Sequence, residues 1–217
     1  AIALSLVGSE MCIRDSVCLD LEGVLIPEIW AEVADYTGED EFKLTTQDLK
    51  DYSELMDMRI NLVESIGLSF SEIRALVDKM EPFEGAREFV DWVRDNFQLT
   101  IVSDSFYELA WPLLRKLGTP SINCHYLEIE NDQLKGYKLR QLENKKKVVQ
   151  SLKNMKFKVF ASGDSYNDIQ MLQEADLGVF FQAPKHIREE FNEIDGVESH
   201  EDLKNTLIEN SSFIGRT

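Results

Sequence analysis

Two carboxylates two residues apart, Asp20 and Glu22, close the apolar run Val17-Cys18-Leu19, and Gly23 follows at once. In an extended strand, residues i and i+2 point to the same side. Two acids at such a strand end share one cavity, where their like charges are costly unless a cation lies between them. Other polar groups also follow short apolar runs: Ser103 after 99–102, and Asp164 and Asp168 after 159–161. Lys145 opens a lysine-rich helical stretch. Clustered aspartates with one lysine suit a hard cation and a phosphate. Mg²⁺ takes oxygen ligands, keeps several waters and binds through one or two carboxylates plus phosphate oxygens. Asp20 and Asp164 fit as its ligands. A carboxylate beside Mg²⁺ stays ionised at neutral pH and can attack phosphorus, giving an aspartyl-phosphate. A second carboxylate can protonate the leaving oxygen and then deprotonate the incoming one. Ser103 would donate to a phosphoryl oxygen, and Lys145 would neutralise developing charge, helped by backbone N–H groups.

Elements of a definite kind are needed to hold these groups together. The first strand leads directly into helical patterning over 28–36, 51–66 and 69–80, with Gly38 and Gly67 as terminators and Ser69-x-x-Glu72 spaced as a capping box. The stretch 28–81 is therefore helix only and reads as a separate cap inserted after the first strand. Pro82 closes it. A helix over 85–96, a strand over 99–102 and a helix over 105–117 come next; the last opens with another S-x-x-E spacing, Ser105 to Glu108, and carries Pro112 as an expected kink. Runs at 124–129 and 134–139 flank Asn131-Asp132, the signature of a β-hairpin. The remainder alternates: a helix from 145, a strand over 159–161, a helix to 174, a strand over 177–181, and closing helices over 186–191 and 200–210. Strands alternating with helices predict an α/β fold, a Rossmann-like parallel sheet with helices on both faces. Such sheets bind ligands outside the carboxyl ends of their strands, which is where Asp20, Glu22, Ser103, Asp164 and Asp168 fall.

The 217 residues can bury a sizeable core, and the net charge of −17 argues against nucleic acid or an anionic membrane surface as partner. An anionic substrate then needs a locally positive pocket. Three cysteines, Cys12, Cys18 and Cys124, show no metal-type spacing and leave one unpaired in any disulfide scheme, which fits a reducing cytoplasm. No apolar run approaches the ~20 residues of a membrane span. Residues 1–16 show no periodicity and are set aside as a non-native extension. His125, His186 and His200 lie apart without ligand spacing, and structural or surface roles are expected of them. Trp30 and Trp92 fall on apolar stripes, as core residues do.

The motifs Asp20-Leu21-Glu22-Gly23, Ser103 after its hydrophobic strand, Lys145, and Gly163-Asp164-Ser165-Tyr166-Asn167-Asp168 occur in this order. Together they resemble the haloacid dehalogenase superfamily of phosphohydrolases, over essentially all of 17–210. The cap after the first motif is similar to that of phosphoserine phosphatases. Asp20 through Trp30 and Ser103-Asp104-Ser105-Phe106-Tyr107 resemble the bifunctional phosphoserine phosphatase/homoserine phosphotransferase branch. The resemblance implies a Mg²⁺ enzyme in which Asp20 is the nucleophile and a metal ligand. It implies Glu22 as general acid/base, its backbone carbonyl on the metal, with Asp164 a ligand and Asp168 holding the metal or its waters. Ser103 and Lys145 would contact the phosphoryl group, with Asp104 and Asn167 beside them. In the cap, Glu28 would read the substrate ammonium and Arg59 its carboxylate, a bidentate task that suits a guanidinium. Most of the superfamily has aspartate where Glu22 stands, a difference of one methylene that the named branch shares. The implied substrate is a small phosphorylated amino acid, O-phospho-L-serine, with homoserine as a second acceptor and a monomer or homodimer as the working form. Two other readings stay open: a different phosphomonoester, and a non-catalytic module that binds a phosphorylated metabolite.

Overall fold

A computed structural model of the chain describes residues 14–45, 48–49 and 51–211. A seven-stranded sheet runs in the order β4-β3-β2-β1-β5-β6-β7. Its strands are β1 Ser16–Leu19, β2 Gln98–Phe106, β3 Ile122–Glu130, β4 Gln133–Lys138, β5 Val159–Gly163, β6 Leu177–Phe181 and β7 Asp195–Val197. Every neighbouring pair is parallel except the β3–β4 hairpin. β1 is central, with β2 on one side and β5 on the other. Chain order reverses there, and the carboxyl ends of these three strands diverge into a crevice. Among the described residues no helix is long and apolar enough to cross a membrane.

Alternation along the strands builds two cores. Val17 and Leu19 face one layer with Ile101, Phe160, Val179 and Phe181, packed under helices α4 (Ala86–Asn96), α5 (Tyr107–Lys116) and α9 (His200–Asn210). Cys18 turns to the opposite layer with Val102, Val159, Ala161 and Phe180, under α6 (Asn144–Asn154), α7 (Ile169–Glu174) and α8 (Lys185–Glu190). With helices on both faces, β1 is buried along its whole length, as a central parallel strand must be.

Between β1 and α4 the chain inserts α1 (Ile29–Thr37), a 3-10 turn at Asp40–Lys43, α2 (Tyr52–Ser65) and α3 (Phe70–Val77). Gly38 ends α1 in the left-handed region, and Ser69 with Glu72 forms the capping box of α3. The β3–β4 hairpin turns through Asn131 and Asp132, both at positive φ, which suits these two residue types. Its tip clasps α3: the Phe70 N–H donates to the Asp132 carbonyl, and the Ser71 N–H and hydroxyl each donate to the Asp132 carboxylate, at 2.9 and 2.6 Å.

Several elements differ from the sequence reading. β1 begins at Ser16, inside the stretch set aside as an extension: its hydroxyl donates to the Gln98 carbonyl and its N–H to that of Lys158. Residues 1–13, including Cys12, lie outside the described residues. β2 runs four residues past 102, so Ser105 is extended and buried and cannot cap α5. Glu108 instead accepts the Leu127 N–H, which fastens α5 to β3. α5 continues past the buried Pro112 to Lys116. A 3-10 turn at Tyr166–Asp168 precedes α7, and β7, three residues containing Gly196, carries too little pattern to be read from sequence.

Asp132→Ala removes both side-chain bonds of the clasp and places alanine at a left-handed position. We expect a loss of about 1 kcal/mol in chemical denaturation, with faster amide exchange at the start of α3.

Candidate active site

The turn after β1 is the densest knot of backbone bonds near the crevice. The Asp20 N–H donates to the Ser162 carbonyl in β5, and the Asp20 Oδ1 accepts the Leu21 N–H at 2.8 Å. Leu25 and Ile26 both donate to the Leu21 carbonyl, and Gly23 donates to that of Ile26. Gly23 has φ +77°, and a Cβ there would lie 2.3 Å from the Asp164 carboxyl carbon. Only glycine meets both conditions. Gly163, at the end of β5, would likewise put a Cβ 2.2 Å from the Asp168 carboxyl carbon. These two glycines let the acidic loops after β1 and β5 close onto each other. Asp168, fully buried, turns back to accept the N–H groups of Asp164 and Ser165 at 3.1 and 3.2 Å.

Lys145 enters from the first turn of α6. Its ammonium lies 2.8 Å from Asp20 Oδ2, 2.8 Å from Asp168 Oδ1 and 3.7 Å from Asp104 Oδ2. Burial alone would push its pKa down, but Asp168, Asp20 and Asp104 outweigh it and hold the lysine well above its ordinary value. Lys145 is the member of the lysine triplet buried among carboxylates; Lys146 and Lys147 are half-buried.

One lysine does not neutralise this cluster. Asp20, Asp164 and Asp168 each offer a carboxylate oxygen within 4.8 Å of the others. Burial, then the neighbouring Asp168, raises Asp20 well above the usual carboxylate range despite Lys145. Burial and Asp168 also push Asp164 up to about 7. Carboxyls that cling to protons for want of positive charge are what a divalent cation would relieve. Both oxygens of Asp168 are engaged by Lys145 and by backbone N–H groups, so it braces the group. The donors are all hard oxygens, and the set fits a cation such as Mg²⁺. The Glu22 carboxylate is near this trio but not one of it: its Oε2 accepts the Ile29 N–H at 2.8 Å, at the first residue of α1.

Above the cluster opens a cavity of ≈640 Å³ lined by Asp20, Glu22, Ser103, Lys145 and Asp164 from the sheet side and by Glu28, Trp30, Tyr52 and Arg59 from α1 and α2 or their lead-in. Ser103 is buried; its oxygen accepts the Ser105 N–H at 3.1 Å, leaving the hydroxyl proton to donate. Asp104 is a junction. Its Oδ2 accepts from Asn167 at 3.1 Å, its Oδ1 lies 3.6 Å from His125 Nε2, and its carbonyl accepts the Tyr52 hydroxyl at 2.8 Å. The Arg140 N–H donates to His125 Nδ1, so the ring proton sits on Nε2 and faces Asp104. Burial would raise Asp104, but Lys145 and His125 hold it below the usual range.

Arg59 is buried with its guanidinium 5.0 Å over the Trp30 ring. One terminal nitrogen donates to the Leu44 carbonyl at 2.8 Å, while Nε has no acceptor among the described residues. Glu28 reaches solvent through the cavity, yet it stands beside other acids. Desolvation, then Glu22 and Asp164, push it up to about 8, against the pull of Arg59. Glu28 and Arg59 thus line one cavity and, among the described residues, form no ion pair within 4 Å. Tyr52, which the sequence did not single out, and His125, of which a structural or surface role was expected, also line the site. They come from α2 and β3, and no local spacing links either to a motif.

Gly23→Ala forces either a strained turn or a displaced Asp164. A displacement near 1 Å at a catalytic centre costs on the order of 10²-fold in rate. We expect kcat/KM for phosphomonoester hydrolysis to fall at least that far, measured beside the thermal midpoint to show that the fold persists.

The family model for haloacid dehalogenase-like hydrolases matches residues 15–176. The chain is 46% identical over 196 residues to phosphoserine phosphatase ThrH of Pseudomonas aeruginosa, covering 90% of this chain and 96% of that protein. It is 43% identical over 202 residues to a phosphoserine phosphatase of Pseudomonas syringae pv. tomato, covering 93% and 85%. Among solved structures, a phosphoserine phosphatase from T. onnurineus superposes with TM-score 0.70 at 24% identity, over 90% of this chain and 94% of that one. A phospho-aspartyl intermediate analogue of phosphoserine phosphatase superposes with TM-score 0.67 at 21% identity, over 89% and 99%. The fold, the acidic crevice with its buried lysine, and the matched length agree: this chain belongs to the haloacid dehalogenase-like hydrolases.

Proposed function

We propose that the protein is a Mg²⁺-dependent phosphatase that hydrolyses O-phospho-L-serine to L-serine and phosphate through an aspartyl-phosphate on Asp20. The observation that carries this is the placement of Asp20, Lys145 and Asp164 at the floor of a cavity whose walls hold Glu28 and Arg59, in a chain 46% identical to a relative named phosphoserine phosphatase. Asp20 and Asp164 would hold the cation with the Glu22 carbonyl, braced by Asp168. When bound, the metal supplies positive charge to the phosphoryl oxygens and keeps Asp20 ionised.

The chain's own groups do the rest. A carboxylate oxygen of Asp20 attacks phosphorus as the bond from phosphorus to the serine oxygen breaks. Glu22 gives its proton to that oxygen, then takes one from the water that attacks the acyl phosphate and frees Asp20. The Glu22 Oε2 holds the Ile29 N–H, which orients the carboxylate and leaves the other oxygen for the reacting one. Lys145 and the Ser103 hydroxyl bind phosphoryl oxygens, and Asp104, itself held by Asn167, lies 3.7 Å from the Lys145 ammonium. In the cap, residues 28–81, Arg59 pairs with the substrate carboxylate and Glu28 with its ammonium. An ammonium beside Glu28 reverses the effect of its acidic neighbours and favours the ionised form. The cap closes the cavity against water. Homoserine in place of water would receive the phosphoryl group from the same Asp20, the branch activity that the motif resemblance supports. A cytoplasmic location fits the free, buried Cys18 and Cys124.

Phosphate release from O-phospho-L-serine, with and without Mg²⁺ and beside a panel of phosphomonoesters, tests the reading. A strong, Mg²⁺-dependent preference for phosphoserine is expected; turnover spread evenly over the panel would discard the substrate. Asp20→Asn keeps the fold and removes the nucleophile, with an expected loss of roughly 10³-fold or more in kcat. Arg59→Lys keeps charge and loses the bidentate fork. We expect it to raise KM for phosphoserine about tenfold and to leave p-nitrophenyl phosphate turnover near the wild-type rate. Homoserine phosphate should form when phosphoserine and homoserine are supplied together; its absence would limit the enzyme to hydrolysis.

A further inference from the structure

His200, the first residue of α9, stands 176 residues from Val24, yet its Nε2 lies 2.9 Å from the Val24 carbonyl oxygen. A carbonyl only accepts, so Nε2 carries the proton. The ring is stacked between Phe89 of α4 and Phe181 of β6, with centroids 5.2 and 4.7 Å away and planes 26° and 25° apart. Ser199, one residue earlier, caps α9 by accepting the Asp202 N–H at 3.1 Å. Three elements therefore fix the direction of one N–H bond.

That bond holds the turn on which the chemistry is mounted. Val24 is fully buried and follows Glu22 and Gly23. The backbone bonds of the turn tie Gly23, Leu25 and Ile26 to one another and to Leu21, and they leave the Val24 carbonyl to His200. A shift of this carbonyl moves Gly23, which abuts Asp164, and Glu22, whose carboxylate must come within 2.6–3.2 Å of a reacting oxygen. His200 also lies beyond residues 15–176, the stretch the family model matches.

We propose that His200 is a positioning residue for the phosphatase reaction: by gripping the Val24 carbonyl it sets where the 20–26 turn presents Glu22 and Gly23. The inference rests on the phosphatase reading above. A histidine present only for packing would act through its ring, whereas a positioning histidine acts through its Nε2–H, and two substitutions separate these. His200→Phe keeps an aromatic ring between Phe89 and Phe181 but has no donor. His200→Gln gives up the ring stack but carries an amide N–H near the place of Nε2.

The experiment measures kcat and KM for O-phospho-L-serine with Mg²⁺, the thermal midpoint, and amide hydrogen exchange across 20–26, in wild type and both variants. For His200→Phe we expect kcat to fall about tenfold, the effect of one lost hydrogen bond felt at the reacting centre, with KM within about twofold and faster exchange in 20–26. For His200→Gln we expect kcat to recover to within about threefold of wild type even where its thermal midpoint is the lower of the two. Wild-type kcat in His200→Phe, or equal impairment in both variants in step with their thermal midpoints, would overturn the proposal. Wild-type protein that releases no phosphate from phosphoserine would instead overturn the phosphatase reading. The exchange measurement still judges the His200–Val24 anchor in that case, and unchanged exchange in His200→Phe rejects it.

Discussion

Too much negative charge in too small a space is the constraint on which this structure depends. Asp20, Asp164 and Asp168 crowd within 4.8 Å, with Asp104 and Glu22 close by, and a single buried ammonium, that of Lys145, sits among them. In a buried setting, like charges at this spacing drive one another toward protonation unless cations intervene, and Asp20 and Asp164 both show it. A protein selected for stability alone would replace such a group with apolar side chains. Keeping it makes sense only if positive charge and an anionic ligand arrive during use. The backbone accepts the arrangement because Asp168 is held by two N–H groups and because Gly23 and Gly163 let the acidic loops approach without a Cβ between them.

The sheet decides where that tension is placed. With β1 central and its neighbours β2 and β5 leading away in opposite directions, the crevice opened by the reversal of chain order is at their carboxyl ends. Asp20 and Asp164 stand just past the ends of β1 and β5, Ser103 lies in β2 two residues beyond its last pair with β1, and Lys145 comes in at the start of the helix that leads into β5. Two of these positions are tied to a further strand: the Asp20 N–H bonds β5, while Asn144, beside Lys145, donates to the Asn123 carbonyl in β3. Precision at the centre is therefore borrowed from the packing of the whole sheet, which is rigid because both of its faces are covered.

Much of this was legible in the chain because it is local. Periodicity found β1, the helices of the insertion, the hairpin at Asn131-Asp132 and the alternation that implies a parallel sheet; carboxylates after strands pointed to the crevice. What escaped the sequence depends on long-range pairing. Ser105 has the spacing of a helix cap, but pairing with β3 draws Ser105 and Phe106 into β2 and leaves Glu108 to bond Leu127. His125 carries no ligand spacing, since its partners Asp104 and Arg140 come from other segments. Ser16 looked expendable because the residues before it have no pattern, yet its backbone partner is Lys158, far along the chain. β7 is too short, and too plain in composition, to announce itself.

The insertion and the sheet meet through contacts that bear on the chemistry at different distances. Near the centre, the Glu22 carboxylate caps the start of α1, so the proposed acid/base group and the first helix of the insertion share one hydrogen bond. At the cavity wall, the Tyr52 hydroxyl bonds the Asp104 carbonyl, one residue from Ser103. At the far rim, Asp132 clasps the start of α3. The outermost contact is exposed and made of side-chain bonds that water can replace at little cost. The innermost orients the proposed acid/base group: one Glu22 oxygen holds the Ile29 N–H, and the other is left for a reacting oxygen. A substrate that engages Arg59 and Glu28 would add bonds to the same helical layer that orients Glu22. The proposed substrate-reading groups and the direction of the Glu22 carboxylate thus depend on one helical layer, so the position of the insertion bears on both binding and proton transfer.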